Sequence, residues 1–245
     1  MPPHAQSVVV PGHDDDGENS LPLALAPMDV PLDPPPSYAV ARVPEHPETY
    51  TFSNISISNS SMLLIPPRDA VSQAPLYYIA VGHYPFLPTC LITSVTKGSD
   101  EHGPYVGGFK CVTMMSGQES TRFGSQTVTI RGREHLLWQI FTKEPKRKGA
   151  QTFRWKPFGS SSRVLVWTCT KWPQPGAFTC YSDNKDSRTK VAEFTTITEL
   201  LRPAASSQQP TLMIMPSGHA HFDDILISAL LLERQRLLAV LNTGT

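Results

Sequence analysis

The chain has 245 residues, of which 40% are hydrophobic and 17% charged, and its formal net charge at pH 7 is zero. A chain of this length and composition is able to bury one sizeable core, arranged as one large domain or two small ones. Neither the first six residues, which carry no basic group, nor the short apolar run at 21–26 has the features of a secretory signal. We therefore expect an intracellular protein whose four cysteines are reduced.

The N-terminal segment differs in composition from the rest of the chain. Residues 1–50 contain eight acidic side chains and one basic side chain, Arg42, so they carry a net charge of −7, and residues 51–245 carry +7. Residues 1–50 also contain 11 of the 24 prolines and show no helical or strand periodicity. Such a segment buries too little apolar surface to offset the entropy lost on ordering it. We predict that residues 1–48 form a disordered acidic tail and that residues 49–245 form the folded domain.

Within this tail, Pro35, Pro36, Ser37 and Tyr38 match the P-P-x-Y ligand motif of WW domains. Adjacent prolines favour the polyproline II helix, which docks in an aromatic groove beside a slot for the tyrosine. The alternative interpretation is a chance match in a proline-rich segment. The motif therefore predicts a WW-domain protein as a partner, with the chance match left open.

From residue 49 onward, short β-rich runs follow one another, separated by turn-forming residues such as Gly98-Ser99-Asp100. In several runs, successive side chains point to opposite faces of the strand. In one of them, Val164 and Val166 point one way while Leu165 and Trp167 point the other. The runs lie at 49–56, 61–65, 76–84, 90–96, 105–113, 127–131, 152–157, 163–170, 177–182, 189–197 and 211–216. Residues Glu134 to Phe141 are predicted to form a short helix. About eleven or twelve short strands at this spacing indicate an antiparallel barrel or sandwich.

The densest group of basic side chains lies in and beside the loop around residue 146. We call it the basic patch, and its members are Lys143, Lys146, Arg147, Lys148, Arg154 and Lys156. Several cations beside an anionic membrane leaflet contribute on the order of 1 kcal/mol each to binding. Runs of this kind are also common in solvated hairpin loops, and Lys146-Arg147-Lys148 is in addition a minimal nuclear-import cluster. The sequence leaves these interpretations open.

The last long stretch, residues 222–240, predicts a helix that the rest of the chain surrounds. Asp223 and Asp224 stand where carboxylates favour the positive end of a helix, and residues 225–232 are apolar except Ser228. A helix that is apolar on every side needs a core or lipid around it. A membrane span needs about 20 predominantly apolar residues, and the charged residues that follow interrupt this one. We therefore predict a helix buried inside a closed β-barrel. The residues expected to be least exposed are Ile225, Leu226, Leu230 and Leu231.

No residue pattern in the chain predicts catalysis. The sequence contains no G-x-S-x-G, H-E-x-x-H, Walker loop or G-x-G-x-x-G motif. His219 and His221, followed by Asp223 and Asp224, superficially resemble a metal site, but the start of a helix after Ser217-Gly218 explains the same residues. We therefore expect that the protein is not an enzyme and that it uses no metal and no cofactor.

Several segments together resemble a fungal family of domains of unknown function in the tubby C-terminal-like superfamily. They are residues 49–54, 61–64, 127–134, 179–181 and the ending 223–233, Asp-Asp-Ile-Leu-Ile-Ser-Ala-Leu-Leu-Leu-Glu, which is the most specific. The resemblance covers about residues 49–238. It implies a tubby-like antiparallel β-barrel of about twelve strands, threaded by a hydrophobic C-terminal helix.

The resemblance also implies candidate ligands. Tubby proteins bind phosphoinositide head groups through basic side chains on the barrel surface, so the basic patch is the analogous surface here. Phospholipid scramblases, which belong to the same superfamily, also combine a proline-rich tail with this type of barrel. Because members of the superfamily are functionally diverse, the resemblance implies no particular activity.

We therefore expect a non-enzymatic binding or adaptor module. Its barrel would recognise an anionic phospholipid surface or a protein, and its tail would recruit a WW-domain protein. The alternatives are a scramblase-like lipid-handling protein and an enzyme with an unrecognised site. We expect no nucleic-acid partner, and a location in the cytoplasm, free or peripheral at a membrane, with the nucleus as an alternative.

Overall fold

A computed structural model of the chain describes residues 43–55, 60–70, 72–84, 87–112, 126–144, 150–156, 164–173, 176–184, 187–196 and 209–243. The chain divides after Ala41, and all of the described residues lie in the second unit, Arg42–Thr245. The first strand begins at Glu48. Of the tail predicted at residues 1–48, only residues 43–48 are described.

The described part of the chain forms thirteen strands and two α-helices, with one 3₁₀ helix before the second. In order they are β1 (Glu48–Phe52), β2 (Ser61–Ile65), β3 (Tyr77–Tyr84), β4 (Leu87–Lys97), β5 (Tyr105–Val112), β6 (Thr127–Ile130), β7 (Arg133–Leu136), α1 (Leu137–Ile140), β8 (Phe141–Lys143), β9 (Gln151–Trp155), β10 (Val164–Cys169), β11 (Ala177–Asn184), β12 (Ser187–Thr195), β13 (Thr211–Ile214), the 3₁₀ helix (Pro216–His221) and α2 (Phe222–Thr243). Each of the eleven predicted β-rich runs overlaps one of these strands.

The short helix predicted over Glu134–Phe141 is wrong at both ends. Only its centre, α1, is helical, and the flanking residues pair as strands. Glu134 lies opposite Thr129 of β6, and Phe141 lies opposite Trp155 of β9. The pairing of these residues with neighbouring strands therefore overrides their local preference for helix.

All thirteen strands belong to one antiparallel sheet with the order β7-β6-β5-β4-β3-β2-β1-β13-β12-β11-β10-β9-β8. The first and last strands are neighbours at its centre, where Glu48 lies opposite Ile214 and Tyr50 lies opposite Leu212. Two series of hairpins therefore extend outward from the β1–β13 pair, one through β2 to β7 and the other through β12 to β8.

The sheet is not closed into a barrel, which corrects the expected closed barrel of about twelve strands. Its two edge strands, β7 and β8, do not pair within the described residues, although only α1 separates them in the chain. The backbone N–H of Leu137 donates to the carbonyl of Gln126 at 2.8 Å, and the N–H of Lys156 donates to the carbonyl of Ile140 at 2.7 Å. These bonds attach α1 to the ends of β6 and β9, which are the inner neighbours of the two edge strands.

The helix α2 lies inside the curved sheet. Side chains from opposite halves of the sheet contact it: the Tyr77 hydroxyl donates to Asp223 at 2.6 Å, and the Trp167 indole N–H donates to Ser228 at 3.0 Å. The fully buried residues of α2 are Ile225, Leu226, Ile227, Ser228, Ala229, Leu231 and Leu232. Leu230, which we expected among the least exposed residues, is only partly buried, because the sheet and helix separate beside it.

Two further observations concern the cysteines and the helices. All four cysteines are buried and none forms a disulfide, and burial raises the pKa of the Cys180 thiol well above its ordinary value. The described helices include none long and apolar enough to cross a membrane.

Candidate functional site

The strands β2 to β5 present rows of side chains toward α2. In an antiparallel ladder, residues directly opposite each other lie on the same face of the sheet. The register therefore places side chains on one face in three rows, Met62–Ile79, Val81–Thr93–Phe109 and His83–Leu91. Ile79 and Phe109, with exposed fractions of 0% and 3%, show that this face is the inner one.

The facing surface of α2 is a single stripe. Leu230, Glu233, Arg234 and Leu237 are spaced at intervals of three and four residues, and such residues lie on one face of an α-helix. In the same half of the helix, Leu231 and Leu232 are fully buried, whereas the four residues of the stripe are only partly buried. The stripe is therefore a side of the helix that the core does not fully cover.

A pocket of about 330 Å³ separates the stripe from the rows, and we call it the Arg234 pocket. It is lined by Ile55, Ser60, Met62, Ile79, Val81, His83, Leu91, Thr93, Phe109, Leu230, Glu233, Arg234 and Leu237. Its volume falls at the lower end of the range of roughly 300–1,000 Å³ found for small-molecule sites, which are mostly apolar with a few polar groups. The lining of the Arg234 pocket has this composition.

The nearest carboxylate in the pocket, Glu233, is already engaged by another cation. The guanidinium of Arg236, which is 2% exposed, donates from Nε to one oxygen of Glu233 at 2.7 Å and from a terminal nitrogen to the other at 2.6 Å. This two-bond geometry is the strongest that arginine forms with a carboxylate. Since Glu233 carries one negative charge, the pair is neutral and leaves the charge of Arg234 uncompensated.

Arg234 itself has no counter-ion in the described part of the chain. Its Nε is buried and has no hydrogen-bond partner there, and burial lowers the pKa of the guanidinium from its ordinary value. Burial also raises the pKa of the nearby Cys111 thiol to about 12, so this thiol is neutral at pH 7. The pocket therefore contains a cation that lacks an anion.

The structure divides the basic patch between two faces of the sheet. Lys143 lies opposite Phe153, whereas Arg154 lies opposite Thr142, so the side chains of Lys143 and Arg154 leave opposite faces. Lys143 places its Nζ 5.2 Å from the centre of the Trp172 ring. These two members of the patch do not form one surface.

Arg154 is also committed to carboxylates on its own face. It donates to Glu144, and a terminal nitrogen lies 3.1 Å from Asp183. Lys156 is exposed at the end of β9. The remaining members of the patch, Lys146, Arg147 and Lys148, lie outside the described residues, as do Pro35, Pro36, Ser37 and Tyr38 of the WW-ligand motif.

The residues that superficially resembled a metal site have other contacts. His219 lies in the 3₁₀ helix with its ring centre 6.0 Å from that of Phe222, and burial lowers its pKa. Asp223 accepts from Tyr77, and Asp224 accepts from Arg131 at 3.1 Å. Among the described residues, no three His, Cys, Asp or Glu side chains are arranged to hold a metal ion.

Sequence reasoning missed the Arg234 pocket. In the sequence, Arg234 follows the apolar stretch, where the negative end of a helix would explain a basic residue. The helix α2 continues to Thr243, so Arg234 lies near its middle and that explanation does not apply. A signal was present: Leu230, Arg234 and Leu237 share one helix face, so an arginine lies between two apolar residues. The pairing of Glu233 with Arg236 rather than with Arg234 becomes visible only in the structure.

Comparison of the chain with protein-family models, curated proteins and solved structures found no match. The resemblance to the tubby C-terminal-like superfamily accordingly stays a prediction from the sequence. The geometry of the Arg234 pocket is therefore the basis for a functional proposal.

Proposed function

We propose that the domain is a non-enzymatic binding module that holds the apolar part of a lipid-like amphiphile in the Arg234 pocket. The observation that carries this proposal is the pocket of about 330 Å³ between α2 and the inner faces of β2 to β5, with its mostly apolar lining. Apolar surface in a folded domain is normally filled by its own side chains. An unfilled apolar space of this size favours an aliphatic ligand over a protein partner, which would need a broad surface.

The expected affinity follows from the chemistry of an aliphatic chain. Each methylene removed from water contributes about 0.8 kcal/mol. Ten buried methylenes therefore contribute about 8 kcal/mol before the loss of translational and rotational freedom is subtracted. A single alkyl chain is thus sufficient for measurable binding, and a membrane surface is its natural source.

The proposal is tested with dodecanol, a neutral alkyl ligand, and with a variant that fills the pocket. Leu230→Phe adds a ring to a partly buried pocket residue, so we expect at least about a tenfold loss of dodecanol affinity by calorimetric titration. Leu76→Phe is the matched control, because Leu76 is 38% exposed and lies outside the pocket lining. Absence of dodecanol binding by the unmodified chain, or equal binding by Leu230→Phe, would contradict the proposal.

The tail supports a second, separate proposal. Pro35, Pro36 and Tyr38 fit a WW-domain groove, and we propose that the tail recruits a WW-domain protein to the lipid-bound module. A peptide covering residues 30–42 should bind a P-P-x-Y-specific WW domain, and Tyr38→Ala should abolish this binding. Equal binding by both peptides would overturn the adaptor role and leave the pocket unaffected.

A further inference from the structure

We propose that the ligand of the Arg234 pocket is a fatty acid and that Arg234 binds its carboxylate. This inference rests on the proposed function and adds the chemistry of the head group. The carrying observation is the uncompensated charge described above: Glu233 is paired with Arg236, and the buried Nε of Arg234 has no partner in the described residues.

Arg234 is partly buried, and its Nε is removed from solvent without a hydrogen-bond partner in the described residues. An N–H donor that is taken out of water without an acceptor costs free energy. A ligand with an anionic oxygen supplies both the missing charge and the missing acceptors. Arginine presents its donors in a planar fork that fits a carboxylate with two parallel bonds. An aliphatic carboxylic acid therefore satisfies Arg234 with its head while its chain occupies the apolar lining.

The number of charges selects a carboxylate over a phosphate monoester. Glu233, Arg234 and Arg236 together carry one net positive charge, which one carboxylate neutralises. A phosphate monoester carries about −1.5 to −2 charges at pH 7, so it would leave excess negative charge beside Glu233. His83, at the pocket rim on β3, is exposed and remains in contact with solvent.

The test compares three ligands with the same alkyl chain: laurate, dodecanol and dodecyl phosphate. For the unmodified chain, calorimetric titration at pH 7.5 should show laurate binding at least about tenfold more tightly than dodecanol, since hydrogen bonds to a charged partner strengthen binding by about that factor or more. Dodecyl phosphate should bind more weakly than laurate.

Three variants locate the head group. Arg234→Gln should bind laurate and dodecanol equally, and Arg234→Lys should keep part of the preference because it retains the charge. Arg188→Gln is the matched control: it removes the same charge from an exposed residue on β12, whose guanidinium lies 4.2 Å from the centre of the Tyr181 ring. This control should retain the full preference for laurate.

A second readout reports the contact directly. In laurate labelled with ¹³C at the carboxyl carbon, the NMR shift follows ionisation of the head group. Bound to the unmodified chain, the carboxyl should have a pKa lower than that of laurate bound to Arg234→Gln, because a nearby cation favours the ionised form. A merely structural role of Arg234 would not move this value.

The outcomes separate the two proposals. If none of the three ligands binds, the proposed function and this inference both fail. If laurate and dodecanol bind the unmodified chain equally, or if Arg234→Gln keeps the preference for laurate over dodecanol, the pocket binds an alkyl chain but Arg234 does not bind the carboxylate. Tighter binding of dodecyl phosphate than of laurate would overturn the assignment to a carboxylate.

Discussion

The two sides of α2 differ in how completely they are packed and paired. Toward β9 and β10, Trp155 and Trp167 are both 0% exposed, and their indole N–H groups donate to Asp224 at 3.4 Å and to Ser228 at 3.0 Å. Toward β2 to β5, the helix faces the Arg234 pocket and an arginine without a counter-ion. One side of the helix is thus packed against large aromatic side chains, and the other side faces a cavity.

Aromatic rings account for much of this difference. A series of ring contacts with centre-to-centre distances between 5.1 and 6.3 Å crosses the half of the sheet from β1 through β13 to β9. Its members are Phe52, Phe194, Phe178, Trp172 and Phe153. Large rings in such contacts fill volume and contribute about 0.5–1.5 kcal/mol per pair beyond their buried area. The pocket side has Phe109 but no such series among its lining residues.

The comparison indicates that the two sides of α2 have different roles, one in stability and one in binding. The β9–β10 side stabilises the helix within the fold, and the pocket side accepts a cavity and an unpaired cation, both of which lower stability. Natural proteins commonly lose stability at binding sites and recover it elsewhere.

The largest expected effect is the truncation of a buried tryptophan on the packed side. Trp155→Ala should lower the free energy of unfolding by about 3–5 kcal/mol, because it leaves a cavity and removes the partner of Asp224. Leu237→Ala, on the pocket side, should cost about 1 kcal/mol, since Leu237 is only partly buried beside an existing space. Urea unfolding of both variants checks this contrast, and equal losses would refute it.

A smaller effect is expected where the sheet and the first half of α2 touch. A Cβ on Gly107 would lie 2.5 Å from the carbonyl oxygen of Thr129 and 2.7 Å from Cδ1 of Ile227. Gly107→Ala should therefore lower the free energy of unfolding by about 1–3 kcal/mol through overpacking. Gly82→Ala is the control, because nothing lies within 4 Å of its added Cβ. Thermal melts showing equal losses for the two variants would count against the close approach.

The smallest effect concerns the pH dependence of the packed side. Burial raises the pKa of Asp224 above its ordinary 3.8, although Arg131 and Trp155 oppose the shift. The carboxyl of Asp224 therefore stays protonated to a higher pH in the folded state than in the unfolded state. This difference makes the free energy of unfolding fall as the pH rises from the unfolded pKa through the higher native pKa. Asp224→Asn stays neutral, so its stability relative to the unmodified chain should increase from below pH 3.8 upward. Melts across that range check the sign, and a constant or falling difference would reject it.

The sequence predicted the parts of the fold that depend on local pattern. Residues 225–232 are apolar around the helix, so burial of α2 followed from the residues alone. The open edge did not follow, because β7 and β8, four and three residues long, have too few residues for a periodicity to appear. Pairing with the neighbouring strands β6 and β9, rather than local helix preference, decides the structure of these two segments.

The candidate site depended even more on long-range geometry. The basic patch looked continuous in sequence, but a single step in register, Lys143 opposite Phe153 rather than Arg154, puts two of its members on opposite faces. Arg234 looked ordinary because its special property is the absence of a counter-ion. That property depends on which partner Glu233 takes, and no local pattern specifies it.

The central claim is that the pocket side of α2 binds a ligand at a cost in stability. It is tested most directly by four thermal melts, of the unmodified chain and of Arg234→Met, each with and without laurate. Without ligand, Arg234→Met should be more stable by about 1 kcal/mol, because it removes a buried Nε that has no acceptor in the described residues and leaves an apolar side chain of similar length. Laurate should raise the melting temperature of the unmodified chain far more than that of the variant. A ligand-free variant that is less stable than the unmodified chain, with equal laurate shifts in both, would contradict the account.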